Sequence, residues 1–264
     1  MNKCFAASLL LATALGSLRG QDVPPEQSPP PTPTVPVPAL APGSLESRSA
    51  DWKSVLPNII EDQPKIYGFP VQLAHGRHWA PTLAFLALTA GFIASDPYTA
   101  PYFRNTTAFH GFNKAFSSTN TSLMIAAAPI SILATGLIRN DHYERSTALL
   151  AGEALADVEI LDEVLKLSTR RARPIGIAPG MNFSDNWWES GEDSFPSGHT
   201  IAAFAVATVI SRRYPHQKWV PWVAYGLATA IAFSRVTLSA HYVGDVFVGA
   251  ALGYFVSRFA VLRQ

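Results

Sequence analysis

Seven consecutive residues, Ser194-Phe195-Pro196-Ser197-Gly198-His199-Thr200, combine a turn, a helix start and an imidazole. Pro196 cannot continue a helix in front of Ser197, and Ser197 is a natural N-cap for the apolar run from Ile201 to Ser211. The amides of Gly198 and His199 then stand at a helix N-terminus, where free donors and the positive end of the macrodipole make a seat for an anion. Gly198 adds no side chain to obstruct an oxyanion, and His199, in the first turn, faces whatever anion sits there. On its own, the stretch equally fits a capped helix carrying a surface histidine.

Two further stretches carry complementary chemistry. In Lys166-Leu-Ser-Thr-Arg170-Arg171-Ala-Arg173-Pro174, Lys166 and Arg173 lie seven apart, two turns of a continuing helix, so that they share a face. Lysine offers a mobile point charge, and arginine a rigid fork matched to phosphate oxygens. Pro174 makes the chain leave the helix, and Arg170 and Arg171 read as a solvated basic helix end. In Ser234-Arg235-Val-Thr-Leu-Ser-Ala-His241-Tyr-Val-Gly-Asp245, the four-residue interval makes His241 and Asp245 neighbours if the segment is helical. A carboxylate beside an imidazole fixes its tautomer and stabilises its charged form.

Together the three stretches resemble the signature of the type 2 phosphatidic acid phosphatase (PAP2) and vanadium haloperoxidase superfamily. Lys166…Arg173-Pro174 is similar to its first motif, Pro196-Ser197-Gly198-His199 to its second, and Ser234-Arg235…His241…Asp245 to its third. The resemblance covers roughly Ala148 to Phe259. Tyr242-Val243-Gly244 departs from the proline-containing spacing of many members, which touches only the local turn. The resemblance implies an all-α, helical-bundle phosphatase without a metal or cofactor. His241 is then the nucleophile that forms a phosphohistidine, Asp245 its orienter, and His199 the general acid and base. Lys166, Arg173, Ser197, Gly198 and Arg235 hold the phosphoryl oxygens, where developing charge needs fixed donors.

The elements that must position these residues are helical. Six segments punctuated by prolines, glycines and polar clusters are expected as helices: Trp79–Ser95, Thr121–Ile138, Arg145–Lys166, Thr200–Arg212, Trp219–Ser234 and Val243–Leu262. They form a bundle over residues 79–264, with no alternating strand pattern. Ahead of it, residues 1–20 read as an export signal, with Lys3 and an apolar core from Phe5 to Leu15. Residues 21–50 form a proline-rich tether that cannot bury a core, and residues 51–78 an arm with a short helix near Trp52 to Ile60. Glu153, Asp157, Glu159, Asp162 and Glu163 crowd one helix and read as a solvated face. Trp187-Trp188, in the connection between two motifs, reads as a roof over the pocket.

Nineteen acidic against twenty basic residues give nothing for a nucleic acid to bind, and Cys4, the single cysteine, excludes an intrachain disulfide. The uncharged runs Leu123–Ile138 and Val220–Ser234, with Trp79, Trp219 and Trp222 at segment ends, suit a membrane. They fall short of a span of about 20 residues, and five acids make the third segment a poor lipid-facing helix. With a cleaved signal, six spans would also put the site on the inner side. The expectation is therefore an exported, periplasmic bundle, soluble or membrane-associated, with an integral protein as the alternative. Its partner is a phosphorylated lipid or a small phosphate, as a phosphomonoester or a pyrophosphate. The rival readings are a vanadate-dependent haloperoxidase using the same anion pocket and a non-catalytic lipid-binding or scaffold protein.

Overall fold

A computed structural model describes residue 48 and residues 50–76, 78–177 and 193–262. The signal, nearly all of the tether and the Trp187-Trp188 roof lie outside the described residues. Every regular element among the described residues is helical. A short pair, α1 (Val55–Tyr67) and α2 (Phe69–Ala74), precedes α3 (Trp79–Asn105), α4 (His110–Ala115), α5 (Ser118–Ile138) and α6 (His142–Thr169). After the long connection come α7 (Gly198–Arg213), α8 (Trp219–Thr237) and α9 (Val243–Val256), the last running into a π-helical turn at Ser257–Val261. The six expected segments are thus α3 and α5 to α9, in an all-α fold.

The helix ends follow from local chemistry. Asp141 caps α6, accepting hydrogen bonds from the amides of Tyr143 and Glu144 at 2.7 and 3.1 Å. At the other end Arg170 takes a left-handed conformation (φ 46°) and stops the helix four residues before Pro174. Lys166 and Arg173 therefore do not share a helix face as their spacing suggested; Arg173 returns to the site on extended backbone. The end of α3 is the other departure, because the helix continues through Pro97 and Pro101 to Asn105. Hydroxyls in this stretch bond back to carbonyls, Ser95 to Phe92 at 2.7 Å and Thr99 to Ser95 at 3.2 Å. Such side-chain donors let prolines persist in apolar helices.

At the centre stands α7, packed against α6, α8 and α9. Ile201, Ala205 and Val209 face Leu150, Ala154 and Val158 of α6 in one buried cluster, and Ala203, Val206 and Ala207 meet Ala228 and Ile231 of α8 in a second. Close approach to α9 depends on Gly249 and Gly253. A Cβ on Gly249 would lie 3.0 Å from the Ser197 carbonyl oxygen, and one on Gly253 would run into the Ile201 carbonyl and sit 3.0 Å from the Ala205 amide. Small residues four apart let two helix backbones touch, as in membrane helix pairs.

Among the described residues, three helices are long and apolar enough to cross a membrane: Trp79–Asn105, Ser118–Ile138 and the continuous Val243–Val261. Leu83, Leu86 and Leu88 of α3, Leu123, Ile130 and Leu137 of α5, and Phe259 beyond α9 are all more than half exposed. Contiguous apolar surface of this extent marks a membrane-associated body. The shortfall expected for the Leu123–Ile138 run disappears because α5 starts earlier, at Ser118, while α8, which holds the Val220–Ser234 run, is not among the three.

Replacing Gly253 with alanine should lower the thermal stability of the detergent-solubilised protein by roughly 1–3 kcal/mol, the range for an overpacked contact. Gly226→Ala, where a Cβ meets open space, should be neutral or mildly stabilising. Equal melting temperatures for the two variants would contradict the proposed α7–α9 contact.

Candidate active site

One cavity of about 330 Å³ opens between α5, α6, α7 and the turn after α8. Lys166, Arg173, Gly198, His199, Arg235 and His241 all line it, so six of the eight residues singled out by the motifs converge on one space. Ser197 and Asp245 stand behind the wall, each fully buried. The Ser197 hydroxyl accepts a hydrogen bond from Thr200 Oγ1 at 2.9 Å, and its amide donates to the Asp245 carbonyl at 3.2 Å. Its side chain thus supports the start of α7 where the motif suggested contact with phosphate. Ser197 holds the N-cap position as expected, but its side chain makes no capping hydrogen bond; Thr200 is the first amide to bond back, to the Ser197 carbonyl at 3.0 Å, so the Gly198 and His199 amides precede the ladder.

His241 lies in the turn between α8 and α9, just before Tyr242, the N-cap of α9. Its backbone amide and that of Ala240 donate to the Arg235 carbonyl, at 3.2 and 3.0 Å. The ring is fixed from behind by Ser194, whose carbonyl oxygen is 2.7 Å from Nδ1. A carbonyl only accepts, so Nδ1 carries the proton and Nε2 the lone pair. Asp245 Oδ2 is 3.8 Å from Nδ1, too far to hydrogen-bond. Direct orientation of His241 by Asp245 is therefore corrected: Asp245 accepts from the Ser194 hydroxyl at 2.6 Å, and Ser194 holds the imidazole.

Asp245 in turn is the meeting point of a buried ionic network. Its carboxylate accepts from Arg171 Nη1 at 2.5 Å and from the Tyr242 amide at 2.9 Å. Arg171 Nη2 reaches Asp96 of α3 at 2.8 Å, and its guanidinium lies 4.0 Å from the centre of the Tyr242 ring. Asp96 also accepts from the Gly244 amide at 3.0 Å, capping α9 from a separate helix. A Cβ on Gly244 would lie 2.9 Å from Asp96 and 3.0 Å from Ile93, so glycine permits this approach. Arg171, read from the sequence as a solvated helix end, is buried; Arg170 is the exposed one. No motif marks Asp96, although a lone acid inside a long apolar helix is a signal in its own right.

The opposite wall belongs to α5. His199 Nε2 lies 3.1 Å from Ser122 Oγ and 3.2 Å from the Ser118 carbonyl oxygen. Arg235 donates to Ser118 Oγ at 3.1 Å, to Ser234 Oγ at 2.8 Å, and to the Phe116 carbonyl. Burial, followed by the Arg235 charge, pulls His199 down to about 4. Arg173 Nε is 2.8 Å from Asp193, and that hydrogen bond holds Asp193 below the usual carboxylate range.

The acids of α6 divide into two kinds. Glu159 and Glu163 are exposed, while Glu153, Asp157 and Asp162 are fully buried, which corrects the solvated face expected for all five. Asp162 Oδ2 lies 2.6 Å from Lys166 Nζ, and Glu163 3.7 Å from the same ammonium. A Cβ on Gly198 would come within 2.8 Å of Asp162 and 3.3 Å of Lys166. Glycine at this position thus admits the Asp162–Lys166 pair beside the start of α7, a reason additional to leaving room for an anion.

An all-α body thus gathers two imidazoles and three cationic side chains round one cavity, an arrangement with the chemistry to hold an anion. Residues 146–264 match the model of the PAP2 superfamily, so this segment of the chain is similar to that superfamily. Similar proteins include a lipid A 1-phosphatase of Porphyromonas gingivalis, 35% identical over 94 residues that are 35% of this chain and 18% of the relative. A phosphatidylglycerophosphatase B of Bacillus subtilis is 36% identical over 102 residues, 36% of this chain and 46% of the relative. The chain thus spans less than half the length of either. A crystal structure of Aquifex aeolicus LpxE aligns with a TM-score of 0.42 at 22% identity, covering 66% of this chain and 93% of that one.

Arg171→Met should destabilise the protein by about 3–5 kcal/mol, because it strands two buried carboxylates. Arg170→Met, at an exposed position, should change stability far less. Chemical denaturation in detergent distinguishes the two, and similar midpoints would show that the buried network contributes nothing.

Proposed function

We propose that the protein is a lipid phosphate phosphatase that works through a phosphohistidine on His241. The observation that carries this reading is the convergence of His199, His241, Lys166, Arg173 and Arg235 on a single cavity. The superfamily match and the names of the two relatives support hydrolysis of a phosphorylated lipid. So does the apolar part of the lining, Ile125 and Ala126 of α5 with Leu155 of α6 and Ala202 of α7, which gives the anion site an apolar flank beside a helix long enough to cross a bilayer. On this reading the body spans the membrane with α3, α5 and the α9 continuation, and substrate reaches the site from lipid.

In the reaction so read, His241 Nε2 attacks phosphorus as the ester P–O bond breaks. His199 gives its proton to the departing alcohol oxygen. Charge on the phosphoryl oxygens is held by Lys166, Arg173, Arg235 and the amides of Gly198 and His199. The phosphorylated imidazole keeps its Nδ1 proton on the Ser194 carbonyl, with Asp245 nearby to stabilise the cation. Water then attacks phosphorus, His199 takes the water proton, and the P–N bond breaks to release phosphate. The chain's own cations and amides supply the charge stabilisation, so the reading requires neither metal nor cofactor.

The deciding experiment is phosphate release from a lipid phosphomonoester in mixed micelles, with rapid acid-free quenching to trap a phosphoenzyme. The wild type should turn over and accumulate an acid-labile, base-stable phosphoprotein. His241→Ala should lose both while keeping its melting temperature, and retained turnover would remove His241 from the nucleophile role.

The pH dependence carries a sign. His199 must be protonated to act as the acid, so activity is lost as pH rises through its pKa. In the empty site that value is about 4. A bound phosphate dianion offsets the Arg235 charge and raises it. The alkaline limb of kcat should therefore lie at higher pH than that of kcat/KM, and coincident limbs would count against His199 as the acid.

A further inference from the structure

We infer that α1 is a lipid-facing cover: its inward side satisfies buried acids of α6, and its outward stripe is occupied by the bilayer. The inference rests on the membrane reading above. Its starting point is that Glu153 and Asp157 of α6 are fully buried away from the cavity. Their partners come from the arm. Arg48 Nη2 lies 3.0 Å from Glu153, Asn58 Nδ2 donates to Glu153 at 2.8 Å, and Gln63 Nε2 donates to Asp157 at 2.7 Å. Arg48 also bridges back to the buried Asp62 of α1 at 2.7 Å. Val55 and Ile66 fill the same contact against the cluster that contains Leu149, Leu150 and Val158.

The outward side of this helix is the reverse of a water-facing one. Trp52, Leu56 and Ile60, at successive four-residue steps, are 67, 65 and 64% exposed. Side chains four apart stack along one face of a helix, so Leu56 and Ile60 form a stripe on α1, and Trp52, in the turn just before the helix, adds exposed apolar surface. Tyr67, Phe69 and Val71 carry exposed apolar surface onward into α2. Glu61 and Lys65 stand beside the stripe, 3.6 Å from one another. A surface helix in water normally directs its charges outward and its apolar stripe inward. Here hydrogen-bonding groups point at α6 while tryptophan, leucine and isoleucine point away.

Lipid is the occupant that fits, because the stripe continues an apolar membrane surface. α1 packs on the Ser257–Val261 turn that ends the third membrane-length helix, and on that helix Phe255 and Phe259 are also exposed. The whole of α1, 13 residues, is only about 20 Å long at 1.5 Å per residue, too short to cross a bilayer about 30 Å thick. It therefore lies against the body as a patch. A tryptophan at one end suits the boundary between hydrocarbon and head groups. The arm so converts the acidic side of α6, which by itself would face lipid badly, into an apolar exterior.

Site-directed spin labelling of the full chain tests this. Leu56→Cys and Ile60→Cys, each combined with Cys4→Ser, would be labelled and reconstituted into vesicles of phosphatidylcholine and phosphatidylglycerol. Collision with dissolved oxygen should exceed collision with a water-soluble nickel chelate several-fold at both positions, as at a Leu86→Cys reference on α3. A Glu61→Cys label should be the more nickel-accessible. Nickel access at positions 56 and 60 equal to that at 61 would overturn the proposal, as would protection from both reagents, which would mean a protein partner or a second copy. Nickel access at Leu86 as well would overturn the membrane reading together with it.

Discussion

The geometry of the site depends on one buried ionic contact, Arg171 between Asp96 and Asp245. It joins α3, the chain beyond α6 and the first turn of α9, three elements far apart in sequence. Charges this deeply buried are tolerated only when each finds its partner, and losing one strands the others at a cost of about 3–5 kcal/mol. The network thus admits one arrangement of the three elements. Asp245 extends that constraint to both histidine segments. Its side chain holds Ser194 and the Tyr242 amide, and its backbone carbonyl holds the Ser197 amide. The segment leading into His199 and the turn carrying His241 are therefore fixed to the same residue.

Much of this was legible in the sequence, for a physical reason. Prolines, capping residues and apolar runs located the six long helices, and the three motifs named the six residues that share the cavity. What failed to show was which polar groups are buried. Arg170 and Arg171 are indistinguishable by composition, and the left-handed conformation of Arg170 decides that one is exposed and the other turned inward. Glu153 and Asp157 look like a solvated helix face because their partners, Arg48, Asn58 and Gln63, lie about a hundred residues away. The i, i+4 relation of His241 and Asp245 suggested direct contact, but His241 precedes the helix and the Ser194 carbonyl occupies the place beside its ring. The end of α3 is not legible from Pro97 and Pro101, because proline signals a stop in water more strongly than in an apolar setting.

The same separation of polar interior from apolar exterior connects the site to a membrane. α5 presents Ser118, Ser122 and Ile125 to the cavity while Leu123 and Ile130 face outward, so one helix forms both a wall of the anion site and an apolar outer surface. α6 carries Lys166 into the cavity and buries Glu153 and Asp157 under the arm. The charges that serve the site lie inside the body, where low dielectric makes fixed cations effective against a phosphoryl group. The proposed phosphatase chemistry and the proposed lipid cover both follow from that inversion.

The central claim is that the Asp245 network, acting through Ser194, holds His241 with its proton on Nδ1 and its lone pair on Nε2. The most direct test is ¹⁵N NMR of the His241 ring in protein selectively labelled at histidine, assigned by comparison with His241→Gln. A protonated, hydrogen-bonded Nδ1 and an unprotonated Nε2 at neutral pH are the predicted result. A proton on Nε2 with a bare Nδ1 would contradict the account.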